Sequence, residues 1–382
     1  MNTDDLRFER ILGSGSFSVV HLCTYVPTGK KYAVKCISKK DIALYPDLLY
    51  SVAKEFSVLS ECAHFNIVKM DAVFEHADAI CFALEHCECG DLLQLILAEG
   101  KVSKKKVQKI LKQLLDTLEY LHFTMTIAHG DIKPENIVFD KNMDIRLVDF
   151  GSSFDVEEKR ESDRTKDTVI DQLYQKLPKK VIINQTTKSR WRKLLHTLSK
   201  KLNSAFRTFA MVCIPCLTAC WNAQQADLSA DCRQIAEHHG VPMSPPNNCT
   251  EAPVGSTSID ELCEDITQRT DYCGTLDYMP PEMLRHSSFS KAGDFWAVGC
   301  ILYYMVTGVH PFAGDTDKEV VRNILVHHSC SEEDLSFDKA SLAAAMHLAN
   351  ILLNPDPALR MSWVTGDSYG ELKKHPFFSS TA

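Results

Sequence analysis

Four polar side chains in the middle of the chain have the types and spacing needed for phosphoryl transfer. Asp131, Lys133 and Asn136 occur within the run HGDIKPENIVF, and Asp149 opens the triplet DFG thirteen positions after Asn136. This spacing places two side chains that bind Mg²⁺, Asn136 and Asp149, beside a carboxylate that accepts a proton. The chemistry it indicates is transfer of a phosphoryl group from a metal-bound nucleotide to an alcohol.

The same residues resemble the catalytic loop and the metal-binding motif of protein kinases. By this resemblance Asp131 orients and deprotonates the acceptor hydroxyl, and Lys133 neutralises charge that develops on the phosphoryl group. The form DxKPxN resembles serine/threonine kinases, and Thr275 in CGTLDYMPPE matches the threonine that bonds the catalytic aspartate. We therefore predict an ATP-dependent non-specific serine/threonine protein kinase with Mg²⁺ as its cofactor.

The N-terminal part carries the positions that the resemblance assigns to the nucleotide. In LGSGSFSVVHL the glycines predict a turn that closes over phosphates, with Ser18 at the position of the motif's third glycine. Lys35 lies on a predicted strand and would bind the α and β phosphates, and Glu55 on a predicted helix would be its counter-charge. The predicted catalytic residues are Asp131, Lys133, Lys35 and Glu55. The predicted nucleotide-binding residues are Gly13, Gly15, Ser18, Val20, Ala33, Lys35, Leu84, Glu85, Cys87, Asp91 and Val138, and the predicted metal ligands are Asn136 and Asp149.

The segment CFALEHCECGDLL resembles the hinge between the two lobes of a kinase. By this resemblance Leu84 bounds the pocket behind the adenine, and Glu85 and Cys87 offer backbone groups to the edge of the base. Asp91 would face the ribose. The alternative interpretation is a buried strand followed by a turn, which describes the same backbone without a ligand.

The order of the motifs predicts an α+β fold, the bilobal architecture of eukaryotic protein kinases. Residues 1–84 would form a strand-rich N-lobe, and residues 85–151 and 269–380 a mainly helical C-lobe. Residues 152–268 would be an insertion in the activation segment, which is much longer here than a protein kinase needs. The insertion would be largely disordered, because ESDRTKD and EHHGVPMSPPNNCTEAPVGSTS are polar, with proline and glycine interruptions. Closure entropy grows slowly with loop length, so the insertion need not unfold the lobes.

Three residues further along the chain match structural positions of the kinase fold. Glu282 in PPE and Arg360 in DPALR correspond to a buried ion pair that ties the activation segment to the lower lobe. Asp294 in DFWAVG corresponds to the aspartate that holds the backbone of the catalytic loop. The resemblance implies that these side chains stabilise the fold and take no part in the chemistry.

Several longer stretches resemble one family within the AGC group of kinases, the phosphoinositide-dependent protein kinases. They are ILGSGSFSVV, YAVKCISKKDI, LDYMPPEMLRHSSFSKAGDFWAVGCILYYMVTG and YGELKKHPFF. The resemblance implies that the protein substrates are other AGC kinases, phosphorylated on their activation loops. No stretch resembles the lipid-binding pleckstrin-homology domain that many members carry, so we expect no lipid control by that route.

A competing interpretation is a pseudokinase scaffold or a membrane-recruited signalling adaptor. The kinase pattern has a glycine in place of Ser18 and an arginine in place of Gly130, and both differences favour this interpretation. However, the polar residues that serve the transfer step are all retained, which favours an enzyme. These residues are Lys35, Glu55, Asp131, Asn136 and Asp149.

Three departures from the family pattern concern activation. Gly130 replaces an arginine, Phe154 replaces a basic residue, and Asp271 replaces the phosphorylated serine or threonine. Lys54 keeps the third basic position. Since a phosphate needs several cationic donors, we hypothesise that Asp271 faces Lys54 and that activity does not require phosphorylation there. In the alternative interpretation Asp271 is a solvated loop acid and Thr270 is the regulated site.

The middle of the insertion predicts a basic amphipathic helix near residues 188–210. Basic residues lie beside an apolar stripe formed by Trp191, Leu194, Leu195, Leu198, Leu202, Phe206 and Phe209. An anionic membrane surface and calmodulin are the two partners that such a helix suits. Cys213, Cys216 and Cys220 are candidate acylation sites. Alternatively, Cys213 and Cys216 would bind zinc together with Cys220, Cys232 or His238, but the irregular spacing disfavours zinc. An unstructured insertion, or an error in the gene model, would equally explain this segment.

Composition and charge limit the cellular setting and the partners. The net charge of −8 gives no case for nucleic-acid binding. The N-terminus MNTDDLRFER has no apolar signal-peptide core, and the 15 cysteines are scattered through predicted strands and helices. This pattern indicates reduced thiols and a cytoplasmic protein, peripheral at membranes if the basic helix binds them.

Overall fold

The computed structural model describes residues 3–156, 259–268, 275–326 and 339–379. Its upper lobe is a five-stranded antiparallel sheet in the order β1-β2-β3-β5-β4. The strands are β1 (Leu6–Ser14), β2 (Ser18–Tyr25), β3 (Lys30–Ser38), β4 (Met70–His76) and β5 (Ala79–Glu85). A 3₁₀ turn at Thr3–Asp5 precedes the sheet.

Two helices connect β3 to β4 and lie against the sheet. Helix α1 (Lys39–Leu44) begins where the Ser38 hydroxyl accepts a hydrogen bond from the backbone N–H of Asp41. Helix α2 (Pro46–Glu61) begins with proline, whose fixed φ suits the first helical position. Leu49, Val52 and Leu59 on this helix are buried, and so are the charged side chains of Lys54 and Glu55. Each buried charge requires a counter-charge from a neighbouring part of the chain.

The lower lobe is mainly helical. Its helices are α3 (Leu92–Glu99), α4 (Lys104–Glu119), α5 (Ile259–Gln268), α6 (Pro281–His286), α7 (Lys291–Thr307), α8 (Asp317–Val326), α9 (Lys339–Leu352), α10 (Pro357–Arg360) and α11 (Gly370–Lys373). Short turns are 3₁₀ at Pro134–Asn136, Leu276–Tyr278, Met361–Trp363 and Pro376–Phe378, and π-helical at Tyr120–Thr124. Two antiparallel pairs, β6 (Ile127–Ala128) with β9 (Phe154–Asp155) and β7 (Ile137–Phe139) with β8 (Ile145–Leu147), complete it. The predicted fold class, α+β with two lobes, is therefore confirmed.

Helix α7 is the centre of the lower lobe. It is apolar around its whole circumference and buries most of its length, as expected of a helix enclosed by neighbours. The Asp294 carboxylate in its first turn accepts hydrogen bonds from the backbone N–H groups of His129, at 2.8 Å, and Gly130, at 3.0 Å. The buried helix thereby fixes the position of the chain just before Asp131.

A buried ion pair joins two distant parts of the lower lobe, as the resemblance implied. The Arg360 guanidinium bonds the Glu282 carboxylate and donates a second hydrogen bond, 2.7 Å long, to the carbonyl of Asn354. Removing either partner of a buried pair costs about 3–5 kcal/mol, because the other charge is left buried without a counter-charge.

Two stretches of the predicted 152–268 insertion are part of the lower lobe. Strand β9 pairs with β6, and helix α5 packs on α8 through the buried side chains of Cys263 and Ile266. Lys318 on α8 also bonds Glu264 on α5. The predicted basic helix at 188–210 and its neighbouring cysteines lie outside the described residues. Within the described segments, no helix is long and apolar enough to cross a bilayer.

Candidate active site

The catalytic loop runs from β6 to β7 and brings four polar side chains into one hydrogen-bonded group. The Asp131 carboxylate accepts the backbone N–H of Thr275 at 3.1 Å, and the Lys133 ammonium lies 2.8 Å from it. Lys133 also donates to the Thr275 hydroxyl at 2.7 Å. The Asn136 amide nitrogen donates to the Asp131 carbonyl at 2.8 Å. Contacts from Thr275 and Lys133 therefore orient the Asp131 carboxylate.

The loop that carries Asp149 holds this residue in a strained backbone conformation. Its φ of 64° is in the left-handed region, which costs about 1–3 kcal/mol for a residue with a side chain. The next residue, Phe150, is buried and packs edge-on against the His129 ring, with centroids 4.8 Å apart. This packing fixes the turn, which directs the Asp149 carboxylate toward Lys35.

Lys35 lies between two carboxylates, that of Glu55 in the upper lobe and that of Asp149 in the lower lobe. Its ammonium lies 2.8 Å and 2.9 Å from the Glu55 oxygens and 2.9 Å from the Asp149 carboxylate. Burial would lower the pKa of Lys35, but Glu55 and Asp149 outweigh burial and raise that pKa above its ordinary value. Lys35 is therefore charged, as binding of an anionic phosphate requires.

The Asp149 carboxyl is ionised and reaches the cleft. Burial would raise its pKa, but the Lys35 ammonium outweighs burial and holds the pKa of Asp149 below its ordinary value. Its side chain is 45% exposed, so the carboxylate is accessible to a bound cation. At Asn136 the hydrogen bonds to Asp131 use the amide nitrogen, which leaves the amide oxygen as the ligand atom. Both residues thus fit Mg²⁺, which prefers oxygen ligands.

The upper-lobe sheet places four of the predicted nucleotide-binding residues on one face. In antiparallel strands directly opposed residues point to the same side. Val20 is opposite Lys35, Ala33 is opposite Leu84, and Ala33 and Lys35 are two residues apart on β3. Together they form an apolar surface that ends at the Lys35 ammonium, which suits a base followed by its phosphates.

The glycine-rich turn between β1 and β2 is closed by the backbone. The Gly15 N–H donates to the Ser18 carbonyl at 2.8 Å, so the third motif position acts here through its main chain. At Gly13 a Cβ atom would meet nothing within 4 Å. Open space therefore lies beside Gly13.

Two side chains of the hinge, Glu85 and Asp91, accept hydrogen bonds from backbone N–H groups. The Glu85 carboxylate accepts the Lys69 N–H at 2.9 Å, and burial raises the pKa of the Cys87 thiol to about 12. Asp91 accepts the Gln94 N–H at 2.8 Å and thereby caps α3. The backbone of Asp91 also bridges Val138 on β7, which joins the hinge to the floor of the cleft.

Two contacts to helix α2 were missed by sequence reasoning. The Ser51 hydroxyl donates to the Gly151 carbonyl at 2.9 Å, and the Lys54 ammonium lies 2.9 Å from the Asp155 carboxylate. Helical spacing back from Glu55 would have placed Ser51 on the same face of α2. Sequence reasoning assigned Asp271 as the partner of Lys54, and Asp271 and Thr270 lie outside the described residues.

Gly130, where the family pattern has an arginine, is required by its backbone and by its surroundings. Its φ is +78°, and an added Cβ would lie 2.6 Å from the Ser152 carbonyl oxygen. We expect Gly130→Ala to lower the free energy of unfolding by more than the roughly 1–2 kcal/mol of left-handed strain alone. Gly29→Ala is the matched control, since Gly29 has φ +68° and open space around it. Equal losses in the two variants, measured by urea denaturation, would show that the close contact at Gly130 has no energetic consequence.

Comparison with known proteins agrees with this geometry. A family model described as protein kinase domain matches residues 6–187 and 259–378. The chain is 25% identical over 375 residues to 3-phosphoinositide-dependent protein kinase 1 of Arabidopsis thaliana, an alignment that covers 98% of this chain and 55% of that protein. It is 24% identical over 377 residues to the human protein of the same name, covering 99% and 48%. It is 28% identical over 397 residues to serine/threonine-protein kinase ppk31 of Schizosaccharomyces pombe, covering 98% and 34%. The chain spans about half the length of the first of these relatives and of the human one.

Proposed function

Since the chain belongs to the protein kinase family, we propose that it transfers the γ-phosphoryl group of ATP to serine and threonine hydroxyls of proteins. The single observation that carries this proposal is the contact of both Lys133 and Thr275 with the Asp131 carboxylate. These contacts orient the carboxylate that would accept the proton of the acceptor hydroxyl.

The side chains of the site have separable roles in this reaction. Asp131 accepts the proton of the acceptor hydroxyl, and its orientation is set by the Thr275 N–H. Lys133 lies beside that carboxylate and stabilises negative charge on the transferred group. Lys35, held by Glu55, binds the phosphates that remain on the nucleotide. Mg²⁺, when bound by Asn136 and Asp149, neutralises phosphate charge.

The geometry supports an enzyme over a pseudokinase scaffold or an adaptor. The ion pair of Lys35 with Glu55 and the ionised Asp149 are both in place, and each serves nucleotide and metal binding. Ser18 closes the glycine-rich turn through its carbonyl, so the absence of the third glycine leaves the turn intact.

We further propose that the protein substrates include activation loops of other AGC kinases. The supporting observation is the similarity, over nearly the whole chain, to proteins named 3-phosphoinositide-dependent protein kinase. Binding of residues 188–210 to an anionic membrane or to calmodulin, and a cytoplasmic or membrane-peripheral location, stay predictions, because that segment lies outside the described residues.

The substrate proposal is tested with peptides and the full-length protein. We expect a peptide that carries an AGC activation-loop threonine to be phosphorylated at about ten times the kcat/KM of a scrambled peptide of the same composition. A third peptide with tyrosine in place of the threonine should receive no label. Equal kcat/KM for the ordered and scrambled peptides would overturn the AGC assignment, and labelled tyrosine would overturn the serine/threonine assignment.

A further inference from the structure

Helix α2 contacts the segment that follows Asp149 at more than one point. Ser51, Lys54 and Glu55 lie on one helical face, because residues three and four positions apart are neighbours on a helix. Ser51 bonds Gly151, and Lys54 bonds Asp155. Through Lys35, Glu55 also reaches Asp149. The helix is thus joined to both ends of the stretch from residue 149 to residue 155.

The pair of Lys54 and Asp155 differs from a surface salt bridge. The Lys54 side chain is only 6% exposed, and its ammonium lies 2.9 Å from the Asp155 carboxylate. A buried ammonium requires a counter-charge, and removing that counter-charge is far more costly than breaking an exposed pair. The contact therefore contributes to the position of α2.

Asp155 is held in place by the catalytic loop's own strand. It is opposite Ile127 in the pairing of β9 with β6, and the Val156 N–H donates to the Thr126 carbonyl at 2.9 Å. Strand β6 leads directly into the loop that carries Asp131. The ion pair of Lys54 with Asp155 thus connects the helix that positions Lys35 to the strand that positions the catalytic aspartate.

The family pattern has cations at two other positions near this ion pair. Here those positions are Gly130 and Phe154, and neither is charged. The Phe154 ring approaches the Cβ position of Gly130 to 3.2 Å and packs edge-on against Phe289, with centroids 5.6 Å apart. Of the three positions, Lys54 alone is cationic, and a carboxylate already bonds it. A phosphate needs several cationic donors, so these residues fit a carboxylate better than a phosphate.

We propose that Lys54 and Asp155 are positioning residues of the transfer reaction, which hold α2 in place without a phosphate on the activation segment. This inference rests on the proposed kinase function. The ion pair sets the position of α2, α2 sets the position of Glu55, and Glu55 orients Lys35 toward the nucleotide phosphates. Its loss therefore acts on nucleotide binding, at a distance from the acceptor site.

The test compares Lys54→Met, Asp155→Asn and the charge-reversed double variant Lys54→Asp with Asp155→Lys in the full-length protein. Each single variant should raise the KM for ATP about tenfold and leave the KM for the peptide unchanged, and the double variant should recover most of the loss. Lys39→Met is the control, because it removes an upper-lobe pair of similar length, Lys39 with Glu75, that does not contact the segment. Phosphatase treatment of the wild-type protein should change its rate by less than about twofold.

Two outcomes separate this inference from the proposed function. Unchanged KM for ATP in both single variants, or a large loss of wild-type activity after phosphatase, would overturn the role of the ion pair. Failure of the wild-type protein to transfer phosphate would overturn the proposed function. In that case the inference is tested by the affinity for ATP, measured by calorimetry with Mg²⁺ present. A Kd for ATP that is the same in wild type and Lys54→Met overturns the inference in that case.

Discussion

Replacement of Asp131 by asparagine lowers kcat by about 10²–10⁴-fold, the usual contribution of a positioned general base. Asparagine has nearly the same shape, and its amide oxygen still accepts the Thr275 N–H. However, an amide cannot take the proton of the acceptor hydroxyl, and it loses the ion pair with Lys133. The KM for ATP should change little, because Asn136 keeps its hydrogen bond to the main-chain carbonyl of residue 131 in the variant. Steady-state kinetics with Mg²⁺ and ATP measure both constants.

Asp78→Asn is the control for this variant. Asp78 is an exposed residue in the turn between β4 and β5, so the same change of chemistry should leave kcat within about twofold of wild type. A kcat for Asp131→Asn above roughly one tenth of the wild-type value would show that the carboxylate is not the base.

The Asp149→Asn variant loses on the order of 100-fold or more in kcat/KM for ATP, since bound Mg²⁺ supplies several kcal/mol of charge stabilisation. The substitution is conservative for the backbone, because asparagine tolerates the left-handed conformation that Asp149 adopts at φ 64°. It removes the negative charge that faces Lys35 and would face the cation. The defect should therefore be one of metal-dependent nucleotide binding.

Nucleotide affinity with and without Mg²⁺ distinguishes this cause from misfolding. In the wild type Mg²⁺ should strengthen ATP binding, and in Asp149→Asn that gain should be mostly lost, while ATP affinity in EDTA stays similar. Full Mg²⁺ dependence in the variant would mean that Asp149 is not a metal ligand. Matching thermal unfolding curves for the two proteins show that the fold is retained.

The lobes and the central polar residues could be predicted because short local signals define them. Lys35 lies on an alternating strand, Glu55 lies on a periodic helix, and Asp131 lies in a motif of fixed spacing. Their meeting follows from one sheet and one helix, and the ion pair between Lys35 and Glu55 is present in the structure. Local periodicity placed Lys35 on a strand and Glu55 on a helix, and the resemblance to protein kinases paired them.

The structure at the two ends of the predicted insertion depends on contacts with distant parts of the chain. Strand β9 has only two residues, Phe154 and Asp155, which is too short to show the alternation of a strand. Helix α5 has apolar residues at helical spacing, but it follows a polar stretch with proline and glycine interruptions. Its packing on α8 fixes it in the lower lobe.

Contacts between side chains that are distant in sequence were also beyond the reach of pattern reasoning. Ser51 and Gly151 meet across 100 positions, and Lys54 and Asp155 across 101. The charge argument paired Lys54 with Asp271, which lies outside the described residues. Within the described residues the Asp155 carboxylate lies 2.9 Å from the Lys54 ammonium. The pairing of β9 with β6 places Asp155 within reach of α2, and local sequence patterns do not show this pairing.

The most direct measurement is transfer of label from ATP carrying radioactive γ-phosphate to a threonine-containing protein substrate, followed by identification of the labelled amino acid. With Mg²⁺ present, the full-length protein should give labelled phosphothreonine, and Asp131→Asn should give almost none. Intact ATP and unlabelled substrate after prolonged incubation, or equal labelling by the two proteins, would contradict the assignment of this cleft as a phosphoryl-transfer site.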